Sequence, residues 1–183
     1  MAGSIKPIQT KYNGYLFRSR LEARWAVFYD ALGIEYEYEK EGYDLGDLGW
    51  YLPDFYLPGY GWVEIKGLEP TIGDIIGKKC QALAKATKTP TYLFYGGIKL
   101  PNQDEYPQPN SCYAFIDISG MGNYGYDWPF NWCQCYCGKR TGIEYDGRGG
   151  RLGCSCTHGD DKAYNTDSSA LMNACETAMS YRF

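Results

Sequence analysis

The sequence has no long apolar run and no excess of positive charge. Nothing in its 183 residues approaches the ~18 consecutive apolar residues of a membrane-spanning helix, which excludes such a span. The first ten residues have no apolar centre of the kind a secretion signal carries. Together these absences read as a soluble, cytoplasmic protein with no membrane partner. A formal net charge of −4 argues against a generally basic coat that grips nucleic acid everywhere. It leaves room for a locally basic groove around a carboxylate site, because such acids add negative charge themselves. Histidine is almost missing, His158 being the only one. Compositionally disordered segments are missing too: with 44% hydrophobic residues the chain can bury a core, and its length fits one domain with a small appendage.

The most informative stretch is Leu52-Pro53-Asp54-Phe55-Tyr56-Leu57-Pro58-Gly59-Tyr60-Gly61-Trp62-Val63-Glu64-Ile65-Lys66-Gly67, which reads as strand, tight turn, strand. Pro58-Gly59 and Gly61 are turn punctuation, and Pro53 suits an edge or a strand start. After the turn the residues alternate, so Val63 and Ile65 share one face while Trp62, Glu64 and Lys66 share the other. A hairpin that sets Asp54 beside Glu64 brings two carboxylates and an ammonium together. Close carboxylates repel unless a cation lies between them or one is protonated. Mg²⁺ suits such a pair, since it takes oxygen ligands and keeps waters that can act as nucleophiles. The plain alternative is a surface hairpin whose Glu and Lys face solvent.

Pro53-Asp54 followed by Glu64-Ile65-Lys66 resembles the signature of the PD-(D/E)xK nuclease superfamily, which includes restriction endonucleases, phage junction resolvases and lambda-type exonucleases. The flanking elements extend the resemblance over about residues 12–97. Phe17, Leu21, Trp25, Phe28 and Leu32 recur at helical spacing, with Gly33 as C-cap. The F-x-S-x-L-E-A pattern there is similar to the first helix of these nucleases, which implies a metal-site role for Glu22. Otherwise Glu22 is a helix-surface acid paired with Arg18 at i−4. Ile34-Glu35-Tyr36-Glu37-Tyr38-Glu39 alternates as a half-exposed strand. A helix over about 72–87 buries Ile76, Cys80, Leu83 and Thr87. Lys78, Gln81 and Lys85 fall on another face, either as a solvated row or as one that tracks a phosphate backbone. The resemblance makes Lys78 and Gln81 candidates to approach the metal site. Residues 91–95 and 113–118 read as further strands, and 119–127, rich in Gly, Asn and Tyr, as a linker or substrate-facing loop.

Eight cysteines are present, and five fall between Cys133 and Cys156. With no secretion signal, this clustering favours metal ligation over disulfides. Trp132-Cys133-Gln134-Cys135-Tyr136-Cys137-Gly138 and Cys154-Ser155-Cys156 flank an insert with a strand-turn pattern, as a tetrahedral zinc site requires. The expected ligands are Cys137, Cys154 and Cys156 with Cys133 ahead of Cys135 as the fourth, because C-x-x-x-C has more slack than C-x-C. His158 is a weaker candidate. Four thiolates leave no position for water, so this Zn²⁺ is structural. Cys80, Cys112 and Cys175 are assigned to the core, and Arg148 and Arg151 are candidates to contact phosphate or a base edge. Residues 168–183 read as a helix with Leu171, Cys175 and Met179 on its buried side.

The expected fold is therefore α/β: a restriction endonuclease-like core, with a mixed central sheet flanked by helices, and a small zinc-ribbon-like appendage. The core spans 1–126, the cysteine-rich module 127–165, and the helix 166–183 packs back on the body. The resemblance implies a Mg²⁺- (or Mn²⁺-) dependent nuclease acting on DNA, RNA not being excluded. Asp54, Glu64 and the Ile65 carbonyl hold the ion, Glu22 binds a second ion or positions water, and Lys66 activates the nucleophile or steadies the phosphate. It also implies a phage-encoded enzyme of recombination, junction resolution or processing, and by analogy a homodimer. The alternative is a silent module on the same fold that holds nucleic acid or blocks a host protein.

Overall fold

A computed structural model describes residues 7–71, 73–157 and 163–183. The chain opens with a hairpin, β1 (Thr10–Tyr12) and β2 (Tyr15–Phe17), paired from Thr10↔Phe17 to Tyr12↔Tyr15. Its two-residue turn needs positive φ at both positions, and Asn13 (44°) and Gly14 (82°) supply it. Phe17 thus ends a strand and does not begin the helix, though it is fully buried as its apolar character requires.

Helix α1 covers Arg20–Leu32. Ser19 caps it by accepting the Glu22 N–H at 3.2 Å, and Gly33 ends it in the left-handed region at φ 67°. Trp25, Phe28 and Tyr29 are buried, while Leu21 and Leu32 are only partly so. The buried arc is wider than one stripe because helix α3 (Ser169–Ser180) packs along α1. Arg24 fastens the two by donating to the carbonyls of Ala178 and of Met179 (2.6 Å), a suitable place for a cation at a helix C-terminus. On α3, Ala174 and Ala178 join Leu171 and Cys175 in the core, and Met179 is left 43% exposed. Small residues sit there because the helices approach closely.

Between the helices lie β3 (Glu37–Tyr38), a small pair of β4 (Tyr43–Asp44) and β5 (Trp50–Tyr51), then β6 (Phe55–Leu57) and β7 (Gly61–Lys66). The expected strand 34–39 is reduced to two residues, which Glu39 ends with a φ of 46°. Helix α2 (Ile75–Thr87) carries the chain to β8 (Thr91–Tyr95), parallel to β7. Then come β9 (Cys112–Asp117), β10 (Tyr124–Gln134) and β11 (Thr141–Tyr145). The seven-stranded sheet has the order β11-β10-β9-β8-β7-β6-β3, antiparallel except for β7–β8.

The sheet has two covered faces. One, with Val63, Ile65, Tyr92, Phe94, Ala114 and Trp132, packs on α1 and α3. The other, with Trp62, Leu93 and Phe115, packs on Cys80, Leu83 and Ala84 of α2. The architecture is mixed α/β, as the sequence pattern implies. The cysteine-rich stretch, however, is no separate appendage. β10 crosses residues 126 and 127, the expected module boundary, and β10 and β11 are strands of the central sheet. Among the described residues no helix is long and apolar enough to cross a membrane.

Candidate active site and metal centre

The β6–β7 hairpin is paired Phe55↔Val63, Tyr56↔Trp62 and Leu57↔Gly61. Continuing that register by one step sets Asp54 opposite Glu64. Gly61 is needed at the turn end: its φ is 137°, and a Cβ there would lie 2.3 Å from the Pro90 carbonyl oxygen. Asp54 and Glu64 are almost wholly buried, at 1% and 3% exposure. Buried carboxylates need partners, and both have them. Asp54 Oδ2 accepts the Ile65 amide at 2.7 Å, and Oδ1 takes the Arg18 guanidinium. Glu64 Oε2 accepts from the Tyr51 hydroxyl at 2.9 Å, and Oε1 pairs with the Lys66 ammonium.

Glu22 is also buried, held at the first turn of α1 by a reciprocal cap. The Ser19 hydroxyl donates to Glu22 Oε1 at 2.6 Å while the Glu22 N–H donates to Ser19 Oγ. Glu22 Oε2 accepts from the Tyr38 hydroxyl at 2.6 Å and the Arg18 amide at 3.2 Å. Ser-x-x-Glu before an apolar run is a readable cap signal. A helix that is expected to begin at Phe17 puts Ser19 inside it and hides that signal.

The electrostatics follow from burial. Asp54's carboxyl is pushed well above the usual range by desolvation first, then by Glu64 and, less, by Glu22; Lys66 and the Ile65 N–H oppose the rise. Burial works against the charge on Lys66, but Glu64 and Asp54 outweigh it and hold the ammonium above its ordinary pKa. Desolvation likewise raises the hydroxyl of Tyr51 well above 10.0, so it stays a donor to Glu64.

The structure therefore gathers the acids, Lys66 and two residues that sequence reasoning passes over, Tyr38 and Tyr51. It also changes the part Arg18 plays. Arg18 precedes the helix, gives only its backbone N–H to Glu22, and sends its guanidinium to Asp54 and, at 2.8 Å, to Glu39. The Ile65 group that meets a site carboxylate is its N–H. Among the described residues, the ligand atoms of Glu22, Asp54 and Glu64 are not drawn together within the 4.8 Å that would hold one ion.

Lys78, Gln81 and Lys85 are exposed and line one open cleft with Leu48 and Tyr124. Gln81 donates to the Tyr124 carbonyl at 2.6 Å, so its amide is committed to β10 and does not reach the carboxylates. On α2 it is Cys80 that touches the site, with Sγ 3.4 Å from the Tyr51 hydroxyl. Cys80, Cys112 and Cys175 are buried in the core.

At the end of the β10–β11 hairpin, Cys135, Cys137, Cys154 and Cys156 form a group that can hold a metal ion, all four Sγ atoms lying within 4.8 Å of one another. Two of these separations are 3.5 Å, Cys135–Cys137 and Cys137–Cys154, near the edge of a tetrahedron with metal–sulfur bonds of about 2.3 Å. Cys135, not Cys133, is the fourth member. Cys133 lies within β10 opposite Gly142 and is fully buried, and burial pushes its thiol up to about 12. Cys135 lies just past the strand, where the chain turns. Gly138 N–H donates to the Cys135 carbonyl at 2.9 Å, and Gly138 has a φ of 73°. The turn aims backbone donors at sulfur: Arg140 N–H reaches Cys135 Sγ at 3.1 Å, and Cys137 N–H reaches Cys156 Sγ at 3.4 Å. A C-x-C spacing therefore suffices here. His158 lies outside the described residues.

Arg148 is half-buried between the rings of Tyr145 and Tyr164, at 5.6 and 5.7 Å from their centroids. Packing occupies it, whereas Arg151 is exposed, 5.6 Å from the centroid of Tyr145.

No protein-family model matches this chain, and no curated protein or solved structure shows significant similarity to it.

Proposed function

We propose that this chain is a metal-dependent nuclease that hydrolyses phosphodiester bonds, with DNA as its substrate, on the PD-(D/E)xK pattern. The observation that supports this best is the pairing of Asp54 and Glu64. They face each other across a tight hairpin, both buried, with Lys66 on Glu64 and with Asp54's affinity for a proton raised by burial and by its neighbouring acids. Such a pair gains from a divalent cation. Its hard oxygen donors fit Mg²⁺ or Mn²⁺, and Glu64, Asp54 and the Ile65 carbonyl are the groups that hold it. When bound, the ion supplies neutralising charge and a water of lowered pKa. Lys66 holds its proton, so it acts as a donor that steadies a phosphate oxygen. Glu22, fixed by Ser19 and Tyr38, orients the attacking water. The four cysteines hold Zn²⁺, which staples the β10–β11 turn to the 154–156 segment.

A second reading, a nucleic-acid-holding protein that does not cut, is favoured by one observation. Arg18 and Lys66 already neutralise Asp54 and Glu64. Cleavage of supercoiled, linear and branched duplexes and of single strands, with Mg²⁺ or Mn²⁺ and without either, separates the two. Metal-dependent cutting supports the nuclease, and shifted but intact substrates under every condition support the holding protein.

A further inference from the structure

The sheet face that bears Glu64 and Lys66 is only partly covered. Toward the start of β7 it is sealed by α2, which packs on Trp62, Leu93 and Phe115. At the margin of that seal, where Tyr113 packs against it, the row leading away from the site is aromatic. Tyr95 on β8 is the register partner of Lys66. Tyr113 on β9 stands opposite Leu93, one turn of the pleat from Tyr95 on the same face. On β10 the register shifts between Asp127 and Phe130. A bulge of this kind re-aims side chains, and here it brings Trp128 over Tyr113.

The rings form a connected series. Tyr95 and Tyr113 have centroids 5.7 Å apart. Tyr113 and Trp128 are stacked at 5.9 Å and 25°, and Tyr106 meets Trp128 edge-on at 6.3 Å. Three of the four polar edges are engaged: Trp128 Nε1–H donates to the Tyr95 hydroxyl at 3.1 Å, and the Tyr113 hydroxyl donates to Glu69 at 2.9 Å. Tyr113 and Trp128 cover a face of each other, so the rings nearest to a ligand are Tyr106 and, beside it, Trp128. Tyr106 is 69% exposed. Tyr95, Tyr113 and Trp128 are partly exposed.

We propose that Tyr106 and Trp128, backed by Tyr113 and Tyr95, form a stacking platform for the bases of an unpaired strand that runs off Lys66. The substrate of this site then contains single-stranded nucleic acid beside the phosphate that is cut. The inference rests on the nuclease reading for its direction, since Lys66 is where the strip begins. Every base has a face to stack, so the platform tolerates any sequence. A duplex keeps its faces stacked internally and offers none. Glu69 lies at the strip, on the Tyr113 hydroxyl, while Lys66 is its cation, so binding here depends on salt less than phosphate-driven binding does.

The test is binding of fluorescent oligothymidylate, and of a duplex of equal length, without added divalent metal, to the full chain and to Trp128→Ala and Tyr106→Ala. The expected result is tighter binding of oligothymidylate than of duplex by wild type. Each variant should weaken the oligothymidylate by about 5- to 150-fold, the range for losing one stacked base, and leave the duplex unchanged. Equal affinity for both ligands, no binding of either, or variants that fold and bind like wild type overturn the platform. If Trp128→Ala loses its thermal transition, Tyr106→Ala alone decides, since its exposed ring can be removed without opening the core. Selective binding without any cutting removes the nuclease and keeps the platform, whereas cutting of duplex without strand binding does the reverse.

Discussion

The Arg18 guanidinium pairs with the buried carboxylate of Asp54 and, through Nε, with Glu39 at 2.8 Å. Asp54 Oδ1 therefore already has a cation, and a divalent ion bound by Asp54 has to compete with it. Arg18 is 49% exposed along its side chain, so it can swing out toward a phosphate at modest cost.

Removing that competitor should make metal easier to bind. Arg18→Ala is expected to lower the Mg²⁺ concentration for half-maximal cleavage, on the order of tenfold, the equivalent of about 1.4 kcal/mol. Its KM for substrate should rise if the freed guanidinium also serves the phosphate. A Mg²⁺ titration of the cleavage rate gives both numbers. An unchanged half-saturation point contradicts the competition.

Asp54 ties site chemistry to stability. Its folded pKa lies above the unfolded value, chiefly through burial and the Glu64 charge. The folded state therefore holds the extra proton between the two values, and stability falls as pH rises through that window. Below about pH 3 the carboxyl is almost fully protonated in both states, so Asp54→Asn should melt there close to the temperature of wild type. At higher pH the variant should be the more stable of the two. Mg²⁺ should raise the Tm of wild type but not of the variant. Thermal melts across pH, with and without Mg²⁺, check these statements.

The cysteine group separates two neighbours by function. Cys135→Ser should lose stoichiometric zinc and melt markedly lower, by roughly 2–4 °C for each kcal/mol lost in a chain of this size. Cys133→Ser should keep its zinc and show only the cost of a hydroxyl in a buried strand. Metal content after dialysis, read beside the melting curve, tests this. Zinc kept by Cys135→Ser and lost by Cys133→Ser would reverse the assignment.

The cap of α1 positions a site acid. Ser19→Ala should cost about 1 kcal/mol of stability. It should also slow cleavage more than it affects substrate binding, since Glu22 loses one of its anchors. Urea unfolding and a kcat against KM comparison read the two effects.

How far the sequence carries depends on the range of each contact. The Pro58-Gly59 turn fixes a short hairpin, and a short hairpin fixes which residue faces Glu64, so Asp54 is legible. The buried sides of α2 and α3 are legible at Cys80, Leu83, Leu171 and Cys175 for the same local reason. Arg18 is not, because its partner Asp54 is 36 residues away and nothing nearby announces the pairing. Cys133 and Cys135 are confused because the choice depends on where β10 stops. That strand is 11 residues long with a register shift inside it. Its Gly- and Asn-rich approach reads as a linker, which conceals both the start of the strand and the extent of the sheet. Met179 has the right spacing for the core, but close packing of α1 on α3 favours Ala174 and Ala178.

The most direct test of the nuclease site is metal-dependent cleavage by wild type beside Glu64→Gln and Lys66→Ala under the same conditions. Wild type should cut only with Mg²⁺ or Mn²⁺, and each variant should lose at least about 10²-fold in rate, the scale for removing one transition-state donor. The variants should melt within a few degrees of wild type. Cutting that survives in both variants, or no cutting by any of the three while all shift the nucleic acid equally, contradicts the assignment of Glu64 and Lys66 to catalysis.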